Sequence, residues 1–173
     1  MRNEQVYFAE VDQESLETVI DHLLTAVKDS DTRVRWSAAK GIGRITSRLT
    51  MELADDIIEE ILDILVGEQN NINFWHGAML TIAELARRGL LLPSKLKEFF
   101  PLLHKALIFE KNQGTHTEGS NVRDAACYVV WAFARAYDPT VLKPYVLDLS
   151  RTLLTVCMYD KEIHCRRAAA AAF

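Results

Sequence analysis

VRWSAAKGI, residues 34–42, returns three times in altered form: FWHGAMLTI at 74–82, VRDAACYVV at 122–130 and CRRAAAAAF at 165–173. Each stretch opens on an apolar residue and carries alanine four positions on, at Ala38, Ala78, Ala126 and Ala169. Each then places an apolar residue four beyond that, at Ile42, Ile82, Val130 and Phe173. Steps of four put all three side chains on one face of a helix. The openings stand 40, 48 and 43 residues apart. Periods of about 40–47 residues with two helices per unit match HEAT-type repeats. The alanine has a packing role, since a small side chain lets two helices approach while the apolar residues on either side interlock.

Working outward, each copy is preceded by a second amphipathic pattern. SLETVIDHLLTAV aligns Leu16, Val19, Ile20, Leu23, Leu24 and Val27, and LADDIIEEILDILV aligns Ala54, Ile57, Ile58, Ile61 and Leu65. First helices are predicted near 15–28, 52–66, 94–109 and 140–158, and second helices near 33–48, 73–88, 121–137 and from 163 onward. The expected fold is all-α: a right-handed α-solenoid of HEAT or armadillo-like repeats, about three and a half of them, at 15–48, 52–88, 94–137 and 140–173. Residues 1–14 form a lead-in outside the repeats.

Local chemistry supports these boundaries. Asp31 and Asn121 are candidate N-caps, Gly67 and Gly89 stand just past helix ends, and Asp138-Pro139 closes one helix and opens the next. Pro101 falls inside a helical run and should kink it. EKNQGTHTEGSN, near 110–121, is polar with two glycines and is expected to be a mobile connection. The closing alanines lack a polar capping face. The last helix therefore reads as begun and cut, and the chain as part of a longer solenoid.

Composition narrows the function classes. A net charge of −4 is too mild for a nucleic-acid binder, and no apolar run suggests a membrane span. The polar, acidic start is no secretory signal. Cys127, Cys157 and Cys165 are an odd number without short spacing, so they read as reduced thiols in a cytoplasmic protein. Enzyme signatures are absent. GIGR at 41–44 lacks the third glycine of a dinucleotide loop and follows no strand, and the five histidines form no metal-binding pair. Cys157, His164 and Cys165 lack a fourth ligand. No metal or cofactor is expected.

The second helices, which line the concave face in such solenoids, hold the candidate partner-binding residues. Trp36, Lys40, Arg44, His76, Arg123, Tyr128 and Arg167 are the candidates, because Arg and aromatic side chains dominate interface hot spots. Arg35, Arg123 and Arg166 have a second reading, a ladder between units in which they pair with Asp29, Asp31, Asp160 or Glu162. Trp75 and Trp131 read as packing residues. Asp55, Asp56, Glu59 and Glu60 on the first helices read as a solvated convex surface.

The runs RWSAAKGIGRI, WHGAMLTIAELARRGLLLPSKL, NVRDAACYVVWAFARAYDP, LKPYV and CRRAAAAAF go beyond what repeat packing dictates. They resemble the middle region of the tubulin-folding cofactor D family, also called tubulin-specific chaperone D, over residues 15–173. Segments 66–73 and 110–120 contribute nothing to the likeness. The resemblance implies a large helical solenoid that takes β-tubulin from the cytosolic chaperonin and builds the tubulin heterodimer with cofactors C and E. It also implies binding of an Arf-like small GTPase, and stimulation of GTP hydrolysis by tubulin only in the assembled complex, in the cytoplasm with the microtubule cytoskeleton. It carries no catalytic residue onto this chain. The competing reading is a generic HEAT scaffold of the transport or phosphatase-adaptor type.

Overall fold

The computed structural model describes residues 13–67 and 71–173, so the predicted lead-in lies almost wholly outside the described residues. Eight helices are present among them: α1 (Gln13–Ala26), α2 (Thr32–Thr46), α3 (Met51–Gly67), α4 (Ile72–Arg87), α5 (Leu96–Leu107), α6 (Ser120–Ala136), α7 (Pro139–Tyr159) and α8 (Ile163–Ala172). They form a helical repeat solenoid. α2, α4, α6 and α8 pack side by side in one layer, while α3, α5 and α7 follow one another in the other. Each odd-numbered helix also packs on the even-numbered helix that follows it.

The alanines behave as the spacing predicts: Ala38, Ala78, Ala126 and Ala169 are all buried. Their flanking residues are buried in the middle units, at Phe74, Ile82, Val122 and Val130, whereas Val34 and Phe173 are exposed. Closest approach occurs at Gly77 of α4, where an added Cβ would stand 2.1 Å from the Val27 carbonyl oxygen. Every residue from Phe74 to Ala86 is buried, so α4 forms the centre of the core. Aromatic rings knit the later units: Phe100 stacks on Tyr145 at 3.7 Å, and Phe133 meets Phe99, Phe100 and Tyr137.

Caps follow the expected chemistry at Asp31, whose side chain accepts from the Arg33 N–H, and at Asp138, which accepts from Thr140 ahead of Pro139 at the first helical position. Gly89 adopts φ +70 just past α4. Asn121 is not a cap. α6 begins at Ser120 behind Gly119, whose φ of +138 and 2.5 Å clearance to the Phe109 carbonyl admit no side chain. Pro101 lies inside α5, which continues through it to Leu107.

The connection expected to be mobile contains a hairpin. β1 (Lys111–Gln113) pairs antiparallel with β2 (His116–Glu118), and Gly114 at φ +62 makes the turn. Two strands alone are marginal in water. This pair is fastened at its base, where the Lys161 ammonium donates to Glu110 and to the Thr117 hydroxyl.

Candidate binding face

Charge is partitioned between the two layers. Helices α1 and α3 contain nine carboxylates and no Lys or Arg, whereas α2 and α8 contain six Lys and Arg and no carboxylate. Across α2, α4, α6 and α8 there are nine Lys and Arg against Glu84 and Asp124. The modest net charge of the chain therefore conceals a basic layer laid on an acidic one.

On the basic layer three rings form a row. Trp36 of α2 meets Tyr128 of α6 with centroids 5.7 Å apart, and Tyr128 stacks on Trp131 at 5.8 Å. α4 packs between α2 and α6, so Trp36 and Tyr128 touch across it. A cation closes each end: Lys40 lies over Trp36 at 5.6 Å and the Arg135 guanidinium over Trp131 at 4.6 Å. Each pairing is an i, i+4 step along its own helix, in WSAAK at 36–40 and WAFAR at 131–135.

Beneath the row sits a buried carboxylate. Glu84 is 2% exposed and accepts from Arg88 at 2.5 Å, from Arg87 at 3.1 Å and from the Tyr128 hydroxyl at 3.0 Å. Burial pulls its pKa upward, but the hydrogen bonds from Arg88 and Tyr128 and the charges of Arg88 and Arg87 outweigh that and hold it below the usual carboxylate value. Arg87 also donates to the Tyr128 oxygen at 2.8 Å, so the central ring is held from both sides.

The arginine ladder between units is present, with backbone carbonyls and side chains both serving as its acceptors. Arg35 donates to the carbonyls of Asp29 and Ser30, to the Asn73 side chain and to Nδ1 of His76. Arg166 repeats the motif on the carbonyls of Asp160 and Lys161. Arg123 donates to the Phe109 carbonyl and grips the Asp160 carboxylate with two nitrogens, at 2.6 and 3.0 Å. Each arginine holds the turn before its own helix, and Arg35 and Arg123 reach into the next unit as well.

These contacts sort the predicted partner residues. Lys40, Arg44 and Arg167 are exposed on the basic layer, and Trp36 and Tyr128 are half-buried in the ring row. His76 is 4% exposed and accepts from Arg35, which corrects its reading as a surface residue. Burial, with the Arg35 charge adding to it, lowers its pKa to about 4, so it is neutral near pH 7. Arg123 likewise belongs to the ladder, with its donors turned inward on Asp160 and Phe109. Trp75 is fully buried against Phe109. Sequence reasoning passed over Glu84, Arg87 and Arg135. The run ELARRG held a signal, since a glutamate followed by arginines three and four positions on can pair along one helix face. No group of three or more His, Cys, Asp and Glu side chains among the described residues is arranged to hold a metal.

Comparison with known proteins follows the same line. The family described as tubulin-specific chaperone D-like, ARM repeats, matches residues 2–173. The chain is 46% identical over 152 residues to the tubulin-specific chaperone D of Dictyostelium discoideum, covering 86% of this chain and 10% of that protein. It is 39% identical over 170 residues to the tubulin-folding cofactor D of Schizosaccharomyces pombe, covering 91% of this chain and 15% of that protein. The chain thus spans a small part of the length of these relatives.

Proposed function

The chain belongs to the tubulin-specific chaperone D family, in its armadillo-type repeats, and from that premise we propose that it serves as a non-enzymatic binding scaffold within a tubulin-folding cofactor. The proposed division into units is 15–48, 52–88, 94–137 and 140–173, after a lead-in at 1–14. β-Tubulin, which is acidic, is the proposed cargo, received on the basic layer of second helices. Cofactors C and E and an Arf-like small GTPase are the proposed partners of the larger protein. GTPase stimulation belongs to the assembled complex, in the cytoplasm with the microtubule cytoskeleton.

The family match across 2–173 carries this reading. The exposed cations Lys40, Arg44 and Arg167 support the choice of face, because an acidic partner is steered toward a basic patch. The test is charge reversal of these three residues in the full-length protein, followed by recovery of β-tubulin and of the small GTPase in pull-downs. Recovery should fall while the circular dichroism melt stays in place. Unchanged recovery of both partners would overturn the reading.

A further inference from the structure

The row Lys40, Trp36, Tyr128, Trp131 and Arg135 has a geometry more specific than a basic face. Resting on the reading of the second-helix layer as the binding face, we propose that this row seats an extended, acidic peptide segment, distinct from the surface of a folded domain. Three features point to that occupant. Ring centroids are 5.7 and 5.8 Å apart. Alternate residues of an extended chain, which share one face, repeat at about 6.6 Å, close to the ring spacing, so successive same-face side chains fall beside the edges of successive rings. Cations stand at both ends of the row and Arg87 stands beside its middle ring. Carboxylates spaced along such a segment therefore meet a positive charge at each end and at the centre. Finally, the three rings and the partners of Tyr128 fix one another, so little side-chain freedom is lost on binding.

Single-stranded nucleic acid is the other polymer that favours aromatic and basic residues together, but it needs open ring faces on which bases stack. Here Lys40 lies over Trp36 and Arg135 over Trp131, while Tyr128 stacks against Trp131.

The test uses the full-length protein and a fluorescein-labelled dodecapeptide of alternating Glu and Ser, read by fluorescence anisotropy. Binding should occur and should weaken by about tenfold or more in the double variant Lys40→Glu, Arg135→Glu, as expected when complementary charges are reversed. The double variant Lys143→Glu, Arg151→Glu on α7 makes the same change in net charge outside the row and should leave binding nearly unchanged. Because Trp36 and Trp131 lie in the row, peptide binding should also alter tryptophan emission in the parent protein. No binding, equal losses in the two double variants, or equally tight binding of oligo(dT) would each overturn the proposal. If the peptide fails while reversal at Lys40, Arg44 and Arg167 still removes β-tubulin, the scaffold reading stands and the segment proposal falls.

Discussion

Arg35 and His76 show how a single buried contact sets a measurable property. His76 accepts from Arg35 and must stay neutral to do so, and its pKa is depressed to about 4 against an unfolded value near 6.5. The unfolded chain therefore binds the extra proton first as pH falls. Stability from this residue is fully present above about pH 6.5 and declines down to about pH 4, by on the order of 3 kcal/mol. Urea denaturation at pH 7 and pH 4.5 should show the decline, and His76→Gln should flatten the part of it that exceeds carboxylate titration. Gly77 makes a second case. Replacing a helical glycine with alanine ordinarily stabilises by about 1 kcal/mol, but here the new methyl group would stand 2.1 Å from the Val27 carbonyl. Gly77→Ala should instead destabilise by about 2 kcal/mol or more, since neither backbone can yield cheaply, and the denaturation midpoint checks it. Neither residue was legible from spacing. His76 sits two positions past a repeat anchor, where the pattern specifies a helix face but not which neighbour covers it.

At the level of elements, helices were legible and their connections less so. Apolar steps of three and four report burial directly, which is why α1 to α8 fall close to their predicted places. The hairpin carries no such signal. KNQ and HTE are polar, HTE is exposed throughout, and their pairing depends on the distant Lys161 and on Gly119 against Phe109. The same corner holds the Arg123–Asp160 ion pair, whose side chains are 11% and 4% exposed. Burial pulls the Asp160 pKa upward, but hydrogen bonds from Arg123 and the Glu162 N–H outweigh it and keep the carboxyl below its ordinary value. Asp160→Ala would leave a guanidinium buried without its counter-charge and would strip an acceptor from the α7–α8 turn. The expected loss is about 3–5 kcal/mol. Proteolysis should then cut first between α7 and α8, and Arg123→Met in the same chain should recover part of the loss by removing the stranded charge.

At the scale of the whole molecule, two gradients matter: charge across the layers and burial along the array. The charge gradient was half legible, because acidic pairs on the first helices and arginines on the second were visible, while the ring row that joins α2 to α6 over α4 depends on curvature and side-chain reach. The burial gradient follows from stacking. In a repeat array each unit contacts its neighbours, so stability is a sum of unit terms and interface terms. α4 has α2 on one side, α6 on the other and α3 behind it, and it is buried throughout residues 74–86. α8 buries Cys165 and Ala169, and α1 buries Leu24. Local opening in the 173-residue chain should therefore begin at α1 and α8 and reach α4 last. Native-state hydrogen exchange should give α4 amides the global unfolding free energy and α1 and α8 amides values several kcal/mol lower, about what an interface between units contributes. Glu84→Gln provides the discriminating variant. It removes the buried negative charge that Arg87, Arg88 and Tyr128 share, while Phe74, Trp75 and Met79 stay packed. Exchange should rise across α4 and α6 together and leave α8 nearly unchanged, because the carboxylate couples those two helices. Uniform exchange along the chain, or a rise confined to α8, would show that the units open as one body or that the coupling lies elsewhere.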